Sequence, residues 1–98
     1  MDSERLQAGC WLNAMPPGSK TLLHSHDDDD ELLSGVYYIQ VPDRAGRLVL
    51  HHAGGRVTVE PEAGKFVFFD PAIPHEVTRN ESAQTRLSLG FNFGPTRP

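Results

Sequence analysis

The chain has a single cysteine, Cys10, among its 98 residues, so no disulfide can form within it. A lone thiol of this kind reads as a small apolar packing residue, and its isolation fits a reducing compartment. No apolar run approaches the roughly 18 residues of a membrane-spanning helix. The N-terminus, Met-Asp-Ser-Glu-Arg, lacks the charged-then-apolar order of a secretory signal, so the expected location is the cytoplasm. Positive charge is scarce as well. Nine Lys and Arg stand against thirteen Asp and Glu, a formal net charge of -4, and the basic residues are scattered. That leaves no electrostatic footprint for nucleic acid. Nor does any segment hold a helical period for as long as about three turns.

Turn chemistry is abundant instead. Eight Pro and nine Gly punctuate the chain, and between them lie short extended segments. Residues 7–15 mix apolar and small side chains until Pro16-Pro17-Gly18 stops them. A short run at 20–24 precedes the acidic stretch Asp27-Asp28-Asp29-Asp30-Glu31, which reads as a solvated loop. Residues 32–41 form the strongest strand signal, with Val36, Tyr37, Tyr38 and Ile39 all good β-formers. Segments 47–52 and 56–60 flank Ala53-Gly54-Gly55, a hairpin turn. Residues 65–69, 75–79 and 85–93 complete about eight strands at roughly ten-residue spacing, the pattern of an all-β sandwich or barrel. No repeat or linker divides the sequence, which reads as a single domain over residues 1–98.

Three histidines carry the chemistry. His24 and His26 are two apart, and in a strand residues i and i+2 share a face, so both rings can reach one ion. A third ligand from a distant segment would complete a facial set and leave coordination positions open. His75 is the candidate, stiffened on its approach by Pro71 and Pro74. A second scheme pairs His26 with Asp28 in a two-histidine, one-carboxylate set with His75, and Glu31 is a candidate fourth ligand. His51 and His52 are adjacent, so they face opposite ways in a strand and cannot chelate together. After ten intervening residues, His75 is followed by Arg86-x-Ser88. In this last segment Leu87, Leu89, Phe91 and Phe93 alternate with Arg86, Ser88, Gly90 and Asn92, so one face is apolar and the other polar and small. That polar face suits a strand lining a cavity, with Arg86 and Ser88 pointing the same way. A metal beside a fixed cation can hold a chelating keto acid between them.

From Trp11 to Phe93 the chain resembles the Fe(II)- and 2-oxoglutarate-dependent oxygenases of the double-stranded β-helix superfamily, and within them the small families related to prolyl hydroxylases. The resemblance rests on His24-x-His26, Leu33-Ser-Gly-Val-Tyr-Tyr-Ile-Gln-Val-Pro42, Glu62-Ala-Gly64, Phe68-Phe69-Asp70-Pro71, Pro74-His75 and Arg86-x-Ser88. It implies a jelly-roll, cupin-like barrel and an oxygenase using Fe(II), 2-oxoglutarate and O2 on a small-molecule or peptide substrate. By position it makes His24 the first iron ligand and His75 the distal one, with His26 where most of the superfamily has a carboxylate. Arg86 corresponds to the residue pairing with the far carboxylate of 2-oxoglutarate, with Ser88 and Tyr38 as hydroxyl partners. No catalytic residue beyond the metal centre is implied. The spacings Gly18-x5-His24-x-His26-x4-Glu31 and Gly64-x10-His75 also resemble the two cupin motifs, so a cupin-type metal protein or three-histidine dioxygenase that does not use 2-oxoglutarate is the alternative. The chain lacks the N-terminal helices that buttress the sheet in these oxygenases, which leaves room for a partner subunit, a homodimer included.

Overall fold

The computed structural model describes residues 6–24 and 32–95. These form strands only: β1 (Leu6–Met15), β2 (Thr21–His24), β3 (Leu33–Gln40), β4 (Leu48–His52), β5 (Gly55–Val59), β6 (Phe66–Phe69), β7 (His75–Val77) and β8 (Arg86–Pro95). Two four-stranded sheets result, in the orders β1-β8-β3-β6 and β2-β7-β4-β5, with every pairing antiparallel. This is the jelly-roll arrangement expected from the short strands and regular turns. Each segment lies within two residues of its predicted bounds, because Pro and Gly end strands for steric reasons that need no tertiary information. The turn between β4 and β5 is tighter than the sequence suggested. Within it only Ala53 and Gly54 take positive φ, 52° and 78°, and Gly55 already pairs with His52.

Register decides which side chains line the interior. Arg86 pairs with Met15, Ser88 with Tyr38, Gly90 with both Trp11 and Val36, and Asn92 with Ser34. Directly opposed residues share a face, so these form the inner rows of the larger sheet. The outer face carries Leu87, Leu89, Phe91 and Phe93 of β8, with Tyr37 of β3 and Phe66 and Phe68 of β6. The Tyr37 and Phe66 rings stand 4.4 Å apart and those of Phe66 and Phe91 6.2 Å apart. Phe66, Phe68 and Leu12 of this face are all more than half exposed. Cys10 also lies here and is exposed, contrary to its expected packing role. Its register opposite Phe91 puts it on the outer side of the sheet.

One end of the sandwich is closed by polar bonds. Asn80 is fully buried, and its side-chain amide donates to the carbonyls of Met15 at 3.0 Å and Gln84 at 2.8 Å. Its Oδ1 accepts from the Ser82 backbone N–H and hydroxyl. Its own backbone bonds Gly18 and Ser19 of the β1–β2 turn. Asn80 thus ties that turn to the β7–β8 loop. Replacing it with Ala removes four side-chain hydrogen bonds, one buried and three part-buried, each worth about 0.5–1.5 kcal/mol. The expected loss is about 3 kcal/mol or more, a fall of roughly 10–20 °C in the thermal midpoint followed by circular dichroism. An unchanged midpoint would show that water replaces these bonds at no cost.

Candidate active site

Between the sheets lies a cavity of about 510 Å³, whose lining includes Met15, Tyr38, Leu48, Phe69, His75, Val77, Arg86 and Ser88. The strand pattern explains its polarity. The small, polar face of β8 turns inward, and apolar side chains from β1, β4, β6 and β7 wall the rest.

Arg86 is only 2% exposed and Tyr38 is fully buried. The guanidinium carbon stands 5.2 Å from the centroid of the Tyr38 ring, within cation–π range. Arg86 Nη1 donates to the carbonyl of Ala45 at 3.2 Å. Its Nε and the Tyr38 hydroxyl are both buried without a hydrogen-bond partner among the described residues. Burial therefore pushes the Arg86 pKa down, a shift only partly offset by Tyr38. Burial likewise raises the Tyr38 pKa, with the Arg86 charge pulling the other way, so the phenol keeps its proton and stays a donor near neutral pH. A buried arginine with no carboxylate against it is costly. Ser88, 5% exposed, follows two residues along the same inner row, directly opposite Tyr38.

His75 enters from the other sheet. Its ring is buried and packs edge-on against Phe69 at 4.8 Å. Nδ1 lies 2.9 Å from the Ile73 carbonyl, which can only accept. That bond fixes Nδ1 as the protonated nitrogen and leaves the lone pair of the neutral ring on Nε2, the arrangement that orients a metal-binding imidazole. His24 is the cross-strand partner of His75 in the β2–β7 ladder. Among the described residues no three His, Cys, Asp or Glu form a group able to hold a metal. His26, Asp28 and Glu31 lie outside the described residues. The structure thus brings Tyr38, His75, Arg86 and Ser88 to one cavity and puts His24 in register with His75. His51, by contrast, bonds the Glu76 carboxylate at 2.9 Å, at a half-buried position away from this cavity.

Two features of the site carry no motif in the sequence. Ala45, whose carbonyl holds Arg86, lies in the turn between β3 and β4. Trp11 folds its indole over Gly90, where a β-carbon would come within 2.4 Å of the ring, so the indole covers the inner face of β8 and lines the cavity. The one available signal was the small residue at position 90 in an otherwise polar row.

Residues 10–94 match the model of the 2OG-Fe(II) oxygenase superfamily. Among solved structures, the chain is similar to a prolyl-4-hydroxylase from Pseudomonas putida, at 32% identity over 91% of this chain and 53% of that one, with a TM-score of 0.77. An oxidoreductase of the 2OG-Fe(II) oxygenase family from Burkholderia pseudomallei shares the fold at 23% identity and a TM-score of 0.81, covering 92% and 46% of the two chains. A cupin domain from Bordetella pertussis shares it more loosely, at 23% identity and a TM-score of 0.57, over 99% of this chain and 88% of that one. The chain spans about half the length of the two oxygenases it matches. No curated protein matches it.

Proposed function

This chain belongs to the 2OG-Fe(II) oxygenase superfamily, and we propose that it acts as an Fe(II)- and 2-oxoglutarate-dependent oxygenase on a small-molecule or peptide substrate. The family uses Fe(II) and 2-oxoglutarate. The observation that carries the reading is the buried guanidinium of Arg86, with no acid against it among the described residues, beside a Tyr38 hydroxyl that has no hydrogen-bond partner among them. A dicarboxylate matches these donors in charge and in geometry.

Arg86 would grip the far carboxylate through its planar fork, which a point charge cannot imitate. The Tyr38 hydroxyl, kept protonated by burial, would donate a further bond, and Ser88 would add its own from the same row. His75 would present Nε2 to the metal, held by the Ile73 carbonyl. His24 would join it from the paired strand, and His26 is the proposed third ligand. Bound Fe(II) and 2-oxoglutarate supply the oxidative decarboxylation that delivers one oxygen atom of O2 to a substrate C–H bond and leaves succinate and CO2. Met15, Leu48, Phe69 and Val77 give the cavity apolar walls, and charge interactions are stronger against such low-dielectric walls. The similarity to the Pseudomonas prolyl-4-hydroxylase, of which the chain spans 53%, makes a prolyl group part of the proposed substrate range.

The test is an anaerobic titration of Fe(II)-loaded protein with 2-oxoglutarate. The expected result is a saturable visible charge-transfer band, followed by one succinate per turnover once O2 is admitted. Stoichiometric iron with no response to 2-oxoglutarate would instead favour the cupin alternative.

A further inference from the structure

We propose that the turn at residues 44–47 is a positioning device for Arg86 and sets the chain length of the dicarboxylate the cavity accepts. This rests on the reading of Arg86 as the carboxylate anchor.

Arginine has a long stem, and burial alone does not fix where its head stands. Among the described residues, the Ala45 carbonyl accepts a hydrogen bond from the Arg86 guanidinium, through Nη1 at 3.2 Å, and it is the backbone group that holds the head. Nε has no partner among the described residues, and the Tyr38 ring restrains only one face. The position of the Ala45 carbonyl therefore decides where the remaining fork meets a ligand. Ala45 is 2% exposed.

The backbone around it is pinned on both sides to one segment. Glu81 N–H donates to the Arg44 carbonyl at 2.8 Å, and Thr78 N–H to the Arg47 carbonyl at 2.9 Å. The Arg47 N–H donates in turn to the Thr78 hydroxyl at 2.8 Å. Between these pins the chain is forced into uncommon conformations. Arg44 has φ 63°, in the left-handed region that non-glycine residues seldom occupy, and Gly46 has φ 96°. A β-carbon at Gly46 would stand 2.3 Å from the Thr78 carbonyl oxygen. Strain of this kind persists only where the surroundings over-determine it, and it concentrates at functional sites. Here it holds a carbonyl against the buried guanidinium of Arg86, which lines the cavity.

A fixed anchor at one end and His75 on the facing sheet define a span. A 2-oxo diacid must bridge that span to bind at both ends, so one methylene more or fewer loses one contact or the other. A displaced Ala45 carbonyl would let the guanidinium follow the ligand, and discrimination would fall together with affinity.

The experiment is the Gly46→Ala variant of the full chain, loaded with Fe(II) and titrated without oxygen by calorimetry. The ligands are oxaloacetate, 2-oxoglutarate and 2-oxoadipate, of four, five and six carbons. We expect 2-oxoglutarate to weaken about tenfold, the scale of a lost bond to a charged group, and its preference over 2-oxoadipate to shrink several-fold. Iron affinity should not move. A role confined to stability would lower the thermal midpoint and leave the ratio among the three diacids intact, and that outcome overturns the proposal. If Gly46→Ala does not fold, Thr78→Val decides. It removes the hydroxyl pin at an exposed position, and unchanged affinity and preference there would overturn the proposal as well. Wild-type protein that binds iron but none of the three diacids would refute the anchor role of Arg86 itself, and the turn's role with it. A wild type that binds 2-oxoglutarate beside a variant that binds with unaltered selectivity refutes the turn alone.

Discussion

Replacing Arg86 with alanine is expected to weaken 2-oxoglutarate binding by roughly 10- to 100-fold, the consequence of losing charge-assisted hydrogen bonds of about 1.5–3 kcal/mol in a buried site. The guanidinium is buried, unmatched by any acid among the described residues, and its Nε has no partner there. An incoming dicarboxylate therefore meets donors that are already desolvated. Arg86→Lys should also lose most of the affinity, since a lysine ammonium presents no planar fork. Stability should move the other way. Burial lowers the Arg86 pKa, which means that the charged form is disfavoured in the ligand-free fold. The alanine variant should thus keep or gain thermal stability except for the space it leaves, and 2-oxoglutarate at a given concentration should raise the midpoint of the wild type more than that of the variant. Calorimetric titration and thermal unfolding, each with and without 2-oxoglutarate, check both halves. Equal affinity in Arg86→Ala and wild type would place the far carboxylate elsewhere.

His75→Ala should abolish tight metal binding. Removing groups that merely orient a ligand costs roughly 10- to 100-fold in metal affinity, so losing a ligand should cost more than about 100-fold. The substitution also removes the bond to Ile73 and the packing on Phe69, and some stability should go with them. His51→Ala separates the two effects. Its imidazole pairs with Glu76 away from the cavity, so the variant should retain full iron stoichiometry. Metal analysis of both purified variants gives the answer, and undiminished iron in His75→Ala would remove that residue from the ligand set.

Much of the fold is legible in the amino-acid sequence. The β-rich run at 32–41 is β3, the Ala53-Gly54 turn closes β4 onto β5, and Pro71 and Pro74 bracket the loop before β7. Each rests on local stereochemistry, which acts over a few residues and is written in them. The alternation of β8 also separates a polar row at Arg86, Ser88, Gly90 and Asn92 from an apolar one, because strand periodicity sends alternate side chains to opposite faces whatever the partner.

Cys10 shows where that reasoning stops. Period alone separates two faces and does not say which is covered, and the face shared by Cys10, Phe66 and Phe68 is the exposed one. The spacing of His75 and Arg86 likewise names residues without placing them. Their meeting requires two sheets to fold over each other, so that β7 and β8, consecutive in the chain, stand on opposite walls of one cavity. The register of His24 against His75 comes from the β2–β7 ladder, a pairing of segments some fifty residues apart in sequence. The strands, the turns and the division of β8 into two rows are therefore consequences of short-range sterics and of the strand period, and the order of residues suffices for them. The rest needs the folded chain: the burial of Arg86 with no acid against it among the described residues, the tie that Asn80 makes across one end of the sandwich, and the turn at 44–47 that holds the Ala45 carbonyl against the guanidinium. Each of these depends on which distant groups come within hydrogen-bonding reach, and no local pattern encodes that.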